Sequence, residues 1–295
     1  MAVEVVVRNC GKLLEGPHWD SASDTLLFVD ISGRAVHRYD PNTGKNKTVQ
    51  LGENVGAVVP TKDGRLLIAG RHTFSYLDWE SGKLEPIAAV EPDKPNNRFN
   101  DGKCDPMGRF WAGTMGPEER PAEVLLHQGT LYCLHTDLTV KPHFDQISIS
   151  NGMAWSLDHK TLYYIDTLLE YVDALDYDKE TGEIKNRRHI IHAPVEEGLL
   201  DGMCIDAEGM LWIAMFQKSR VNRYNPNTGE KLQTIMFPAT NITSCCFGGP
   251  NYDVLYVTAS AEGLTDGELK EQPLAGSVFK VTGLGVRGLP ANVFG

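Results

Sequence analysis

One short unit recurs six times along the chain, and a recurrence of that kind leaves few folds open. Each copy is a turn residue followed by an apolar strand: Asp24-Thr-Leu-Leu-Phe-Val-Asp30, Gly64-Arg-Leu-Leu-Ile-Ala-Gly70, Gly108-Arg-Phe-Trp-Ala-Gly-Thr114, Lys160-Thr-Leu-Tyr-Tyr-Ile-Asp166, Gly209-Met-Leu-Trp-Ile-Ala-Met215 and Asp253-Val-Leu-Tyr-Val-Thr-Ala259. Taking the third residue of each copy as its anchor (Leu26, Leu66, Phe110, Leu162, Leu211, Leu255) gives intervals of 40, 44, 52, 49 and 44 residues. Repeats of roughly 40–50 residues that each hold several short strands are the pattern of a propeller, whose blades bury their faces against one another. In several copies a second strand and a hairpin turn follow, as in Val36-His-Arg-Tyr-Asp-Pro-Asn-Thr-Gly44, Val172-Asp-Ala-Leu-Asp-Tyr-Asp-Lys-Glu-Thr-Gly182 and Val221-Asn-Arg-Tyr-Asn-Pro-Asn-Thr-Gly229. The glycine that closes each supplies the positive φ such turns want. Helical periodicity is scarce, and β-branched and aromatic runs between Gly, Pro, Asn and Asp dominate. The expected fold is all-β: a six-bladed β-propeller forming a single domain over residues 1–295, at about 49 residues per blade when 295 is divided by six.

Two features fall outside the repeat. Val3 to Val7 form an apolar strand with no hairpin partner nearby, which predicts that the segment pairs beside strands of the C-terminal repeat and closes the ring. The long third interval, 52 residues, implies an insertion near Gly116 to Gln128, where Pro117, Pro121 and a polar run read as a loop at the end of a blade. A loop in that place is a natural lid.

Charge and cysteine usage narrow the partners. With 28 basic and 39 acidic residues the net charge is −11, and no Lys/Arg-rich block interrupts it. Nothing in such a chain grips phosphate backbones, so neither nucleic acid nor an anionic membrane is an expected partner. No apolar run approaches the roughly 18 residues of a membrane span, and Glu4 and Arg8 interrupt the N-terminal run where a secretory signal would need it clear. The six cysteines are scattered without a CxxC pair. They read as small buried thiols in a reducing cytoplasm.

In a propeller, chemistry belongs at the axis, where the first strand of each blade and its entry loop converge. Four polar segments stand upstream of the anchors by nearly equal amounts. Glu15 is 11 residues before Leu26 and Asn151 is 11 before Leu162, while Asn100 is 10 before Phe110 and Asp201 is 10 before Leu211. Equivalent positions in a radial repeat meet at the axis, so residues far apart in sequence become one cluster. Two carboxylates and an amide oxygen, with no thiolate or imidazole at equivalent places, suit a hard divalent cation such as Ca²⁺ or Mg²⁺, with Mn²⁺ and Zn²⁺ as alternatives. Arg98 and Asn100 are placed to hydrogen-bond a hydroxylated or anionic ligand. Asn-Gly and Asp-Gly pairs are also strong turn signals, so Asp101-Gly102, Asn151-Gly152 and Asp201-Gly202 read equally as structural turns. His18 reads as a packed or surface residue, and Cys245-Cys246 as buried strand. Nucleophile elbow, P-loop, dinucleotide fingerprint and EF-hand loop are all missing.

At these residues the chain resembles the regucalcin/gluconolactonase (senescence-marker-protein) family. The resemblance rests on Asn96-Asn-Arg-Phe-Asn-Asp-Gly-Lys103, Ala112-Gly-Thr-Met115, His127-Gln-Gly-Thr-Leu-Tyr132, Ile149-Ser-Asn-Gly152, Trp155-Ser-Leu-Asp-His-Lys160, Asp201-Gly-Met-Cys-Ile-Asp-Ala-Glu-Gly209, Thr243-Ser-Cys-Cys-Phe-Gly-Gly249 and Val281-Thr-Gly-Leu-Gly-Val-Arg-Gly288. It implies one axial divalent cation (Ca²⁺, Zn²⁺, Mn²⁺ or Mg²⁺) with ligands at Glu15, Asn151 and Asp201, and sugar contacts at Arg98, Asn100 and Glu118. The implied activity is hydrolysis of a small-molecule sugar lactone such as gluconolactone, with Asp201 as the base that activates water. This chain departs from the family in having Ala154 where an acidic residue often follows the Asn-Gly pair. The lid reads Gly116-Pro-Glu-Glu-Arg120, so Glu119 competes with Glu118 for the place facing substrate. The same scaffold leaves three other roles open: a calcium-binding regulatory protein without turnover, a luciferin-regenerating enzyme, and an organophosphate-type hydrolase.

Overall fold

All six repeat units become the second strand of a four-stranded antiparallel sheet: Thr25–Asp30, Leu66–Ala69, Phe110–Met115, Thr161–Asp166, Leu211–Phe216 and Val254–Ser260. In the computed structural model, which describes residues 1–295, these sheets are the blades of a six-bladed β-propeller. The strands preceding them are the innermost of each blade: Leu14–Asp20, Ala57–Pro60, Arg98–Cys104, Ser150–Trp155, Leu199–Ile205 and Asn241–Gly248. A blade is covered on both faces by its neighbours, so its second strand carries a continuous apolar run instead of alternating polar and apolar residues. All six residues of Thr25–Asp30, Phe110–Met115 and Leu211–Phe216 are buried accordingly.

The core lies between blades. Trp212, Val221 and Ile235 of the fifth blade pack with Phe247, Leu255 and Phe279 of the sixth. Trp111 of the third blade meets Trp155 and Tyr177 of the fourth edge to face, at 6.3 and 6.4 Å between ring centres. The hairpin turns read from sequence are present, with φ of +69° at Gly44, +77° at Gly182 and +74° at Gly229.

The ring closes as expected from the unpaired first strand. Ala2–Val7 runs antiparallel to Val278–Thr282, the last strand of the chain, and completes the sixth blade. Asn9 reinforces the junction by donating through Nδ2 to the carbonyls of Pro273 and Ala275, at 2.9 and 3.1 Å. The insertion in the third blade is more ordered than a loop: Glu118–Arg120 and Glu123–Val124 form a small two-stranded hairpin. The one α-helix, Asp266–Glu271, is short and closed by a Thr265/Glu268 capping box. No helix is long and apolar enough to cross a membrane.

Candidate active site

The inner strands carry the candidate residues to the axis, and each does so through a local break in pairing. Register shifts fall between Glu15 and His18, Phe99 and Asp101, Ser150 and Met153, and Leu200 and Met203. Such bulges bend a strand and re-aim its side chains. The Asn-Gly and Asp-Gly pairs therefore lie inside strands, which corrects their reading as turns. Gly152 and Gly202 serve close approach of neighbouring blades, and Gly102 close packing against the second strand of its own blade. A Cβ on Gly152 would sit 2.7 Å from the Asp201 carbonyl oxygen in the next blade.

Glu15, Arg98, Asn100, Asn151 and Asp201 line one cavity at the axis, together with Glu118 from the lid hairpin. Glu15, Asn100, Asn151 and Asp201 are all buried. Asn151 is fixed by its amide, whose Nδ2 donates to Thr167 Oγ1 at 2.9 Å. Its Oδ1 is buried with no hydrogen-bond partner. A lone acceptor of this kind costs free energy unless something absent here satisfies it. The two carboxyl groups beside it are under strain of a different sort. Burial away from water and the nearby Asp101 charge push the Glu15 carboxyl up to about 8, against which the Gly16 amide, 2.8 Å from Oε2, works only in part. Burial and the charges of Glu15 and Asp101 drive Asp201 well above the usual carboxylate range. Asp101 is itself buried and raised, chiefly by desolvation.

An excess of buried carboxyl oxygens plus an orphaned amide oxygen is what a cation site looks like when its donors are present and the charge that balances them is not counted. No group of three or more His, Cys, Asp or Glu side chains converges to hold a metal anywhere in the fold. The axial set would have to rely on two carboxylates and the Asn151 amide. Its all-oxygen chemistry fits a hard divalent cation.

Above this floor the polar groups form a chain. Arg98 donates through Nη1 to Asn100 Oδ1 at 2.7 Å and through Nη2 to Glu118 Oε2 at 3.1 Å. Asn100 Nδ2 donates in turn to the Ser150 carbonyl at 2.8 Å. Glu118 thus ties the lid to the inner strand of its own blade, and its Oε1 accepts from the Ala122 amide at 2.9 Å. Glu119 does not line the cavity. Sequence reasoning passed over two polar groups that do: Thr167, which orients Asn151, and Glu262, whose Oε2 accepts from Ser32 Oγ at 2.5 Å. Both follow second strands, Thr167 opening a short 3₁₀ helix and Glu262 in a loop, and the two segments share no motif, so the repeat carried no signal for them. From sequence, Asp101 reads only as part of an Asp-Gly turn. The bulge between Phe99 and Asp101 is what makes it a buried charge near Glu15 and Asp201.

Comparison with known proteins adds the following. Residues 13–261 match the family model described as the SMP-30/Gluconolactonase/LRE-like region. The chain is 50% identical to regucalcin of Xenopus laevis over 292 residues, 99% of this chain and 98% of the relative. A solved luciferin-regenerating enzyme shares the fold with a TM-score of 0.92 at 37% identity, covering 99% of both chains. A calcium-binding protein, regucalcin from Agrobacterium tumefaciens, does so with a TM-score of 0.93 at 30% identity, covering 100% of this chain and 97% of that one.

Proposed function

The chain belongs to the SMP-30/gluconolactonase/LRE-like family, and we propose that it hydrolyses small sugar lactones in a reaction that depends on one divalent cation. The observation that carries this is the buried, unpartnered Oδ1 of Asn151 in the same cavity as the buried carboxyls of Glu15 and Asp201. Those three side chains would hold the ion, with Ca²⁺, Mg²⁺, Mn²⁺ and Zn²⁺ as candidates. When bound, the cation supplies positive charge for the carboxylates and for the oxyanion that develops on the lactone carbonyl.

The remaining chemistry falls to the chain itself. Asp201 takes a proton from the attacking water as the new bond to the acyl carbon forms. That proton is returned to the ring oxygen as the ring C–O bond breaks, giving the open hydroxy acid. General base catalysis of this type contributes about 10²–10⁴-fold. Arg98, Asn100 and Glu118 hold the sugar ring through its hydroxyls, and the network they form with one another pre-sets their directions. The lid hairpin covers the substrate and limits access of bulk water. The six free thiols fit a reducing compartment such as the cytoplasm.

Stripping the protein of metal and measuring gluconolactone hydrolysis with each ion added back tests the reading, with Glu15→Ala alongside. Metal-dependent turnover that Glu15→Ala abolishes supports it. The same donor set would also serve calcium binding without turnover; the Agrobacterium relative is described as a calcium-binding protein. Tight calcium binding with no hydrolysis of any sugar lactone would replace the lactonase reading with that one.

A further inference from the structure

The inner strands do not end at the candidate active site but continue to the opposite mouth of the axis. Three residues beyond Glu15, Asn100, Asn151 and Asp201 stand His18, Lys103, Ala154 and Cys204. These four line a second cavity of about 150 Å³. The C-terminal segment roofs it. The Gly288 amide donates to the Tyr252 carbonyl in the sixth blade at 2.7 Å, Asn292 Nδ2 to the Cys104 carbonyl in the third at 3.2 Å, and the Phe294 amide to the Pro60 carbonyl in the second at 3.0 Å. The segment is thus a strap drawn across the mouth, with Leu289 in the cavity wall.

The walls are largely apolar, with Trp155 and Phe247 among them, yet they carry an ammonium without a carboxylate partner and two ring nitrogens without a hydrogen bond. The Lys103 ammonium is half-buried and donates to the Met203 carbonyl at 2.5 Å. No carboxylate lies within 4.0 Å of its Nζ, whereas most buried charges are paired. Trp155 Nε1 and His18 Nε2 are both buried without a hydrogen-bond partner. Burial lowers the His18 imidazole to about 4, so this ring adds no second charge at neutral pH. A single cation, two spare ring nitrogens and apolar walls match a monoanion with an apolar body. A phosphate would need more donors than the cavity offers.

We propose that this roofed cavity is a second binding site, and that it takes a small apolar carboxylate, its charge on Lys103 and its body against Trp155 and Phe247. The size agrees, since an apolar cavity of about 150 Å³ admits a single aromatic ring. The site is separate from the lactone site at the other mouth and does not depend on it.

Benzoate is the probe, with benzyl alcohol as its uncharged counterpart, titrated into the full-length protein and followed by calorimetry and ligand-observed NMR. The expected result is that benzoate binds about tenfold or more tightly than benzyl alcohol, the worth of one charge-assisted contact. Lys103→Met should erase that preference. His159→Glu, an exposed substitution at the cavity rim, should weaken benzoate while leaving benzyl alcohol unchanged, and does not threaten folding. Arg98→Met at the opposite mouth should leave benzoate affinity as it is. No benzoate binding, or binding that ignores both Lys103→Met and His159→Glu, overturns the proposal, as does binding lost on Arg98→Met.

Discussion

Replacing Asp201 with asparagine should make the metal-free protein less sensitive to rising pH while destroying its hydrolytic activity. The argument runs through proton linkage. Burial and the charges of Glu15 and Asp101 hold the Asp201 carboxyl well above the usual range in the folded chain. In the unfolded chain the group ionises near pH 4. Between those two values the folded protein retains a proton that the unfolded chain has released, so stability is fullest below the unfolded value and falls as pH climbs. The slope is about 1.4 kcal/mol per pH unit for each such carboxyl. Through the interval between the unfolded value and the raised folded one, Asp201 therefore lowers stability steadily as pH rises. Glu15, raised to about 8, keeps its own contribution over the same window. Asparagine cannot ionise and still offers Glu15 a donor, so Asp201→Asn should lose less stability than wild type as pH rises across that interval.

Urea unfolding in the presence of a chelator at several pH values reads this difference directly. Saturating Ca²⁺ or Mn²⁺ should flatten or reverse the wild-type slope, because a cation favours the ionised carboxylates. It should do little to the variant. Gluconolactone turnover should fall by about 10²–10⁴-fold in Asp201→Asn. Parallel pH–stability curves for the two proteins would show that Asp201 carries no raised proton in the folded state, and the electrostatic account of the site would fail with it.

Three other perturbations separate the roles of neighbouring residues. Arg98→Met cuts the link from Asn100 through to Glu118 on the lid, and should raise KM for gluconolactone by about 10–100-fold with a smaller loss in kcat, since its proposed work is positioning. Equal loss in both would instead mark Arg98 as acting in the transition state. Gly152→Ala drives a methyl group to 2.7 Å from the Asp201 carbonyl oxygen and 2.8 Å from the Met203 amide, both backbone atoms. It should destabilise the protein by about 1–3 kcal/mol by urea midpoint, and a neutral result would mean the fourth and fifth blades are free to shift apart. Removing residues 1–8 exposes Val278–Thr282 as an unpaired edge. Light scattering should then report self-association, and a monomeric truncated protein of unchanged stability would show that ring closure does not need the first strand.

The propeller was legible because the second strand of each blade, buried almost throughout, is also the most repetitive. Leu26, Phe110, Leu162, Leu211 and Leu255 are fully buried and Leu66 nearly so, and six sites under one packing demand produce one pattern at near-constant spacing. The axial cluster inherited that legibility, since equal offsets from the anchors become proximity once the ring is closed. Two structural carboxylates carry the same kind of repeat signal. Asp105 accepts from Trp111 Nε1 and Asp206 from Trp212 Nε1, each at 2.9 Å and each six residues apart. Both carboxylates are fully buried, yet each sits where a surface turn residue would, and only the recurring Asp-to-Trp interval betrays them.

What lay outside the repeat could not be read in this way, and the physical reason is the same for the lid and for the strap. Within the repeat, a residue's neighbours are set by the blade it belongs to, so position in the period predicts position in space. Glu118 has no period: its place comes from Arg98, 20 residues back on another element. Asn292 lies 188 residues from the Cys104 carbonyl that anchors it. Segments of that kind are placed by a few specific contacts with the finished scaffold, and their sequences need satisfy only those. They are also the segments that close the two mouths of the axis. It follows that the ring and the floor of its axial cavity are constrained together by the repeat, whereas what each mouth admits is set by residues free to vary without disturbing a blade. Exchanging the lid hairpin for that of a relative should therefore change which lactones are hydrolysed while leaving cation affinity and the urea midpoint in place. A lid exchange that abolished cation binding would show instead that floor and lid form one cooperative unit.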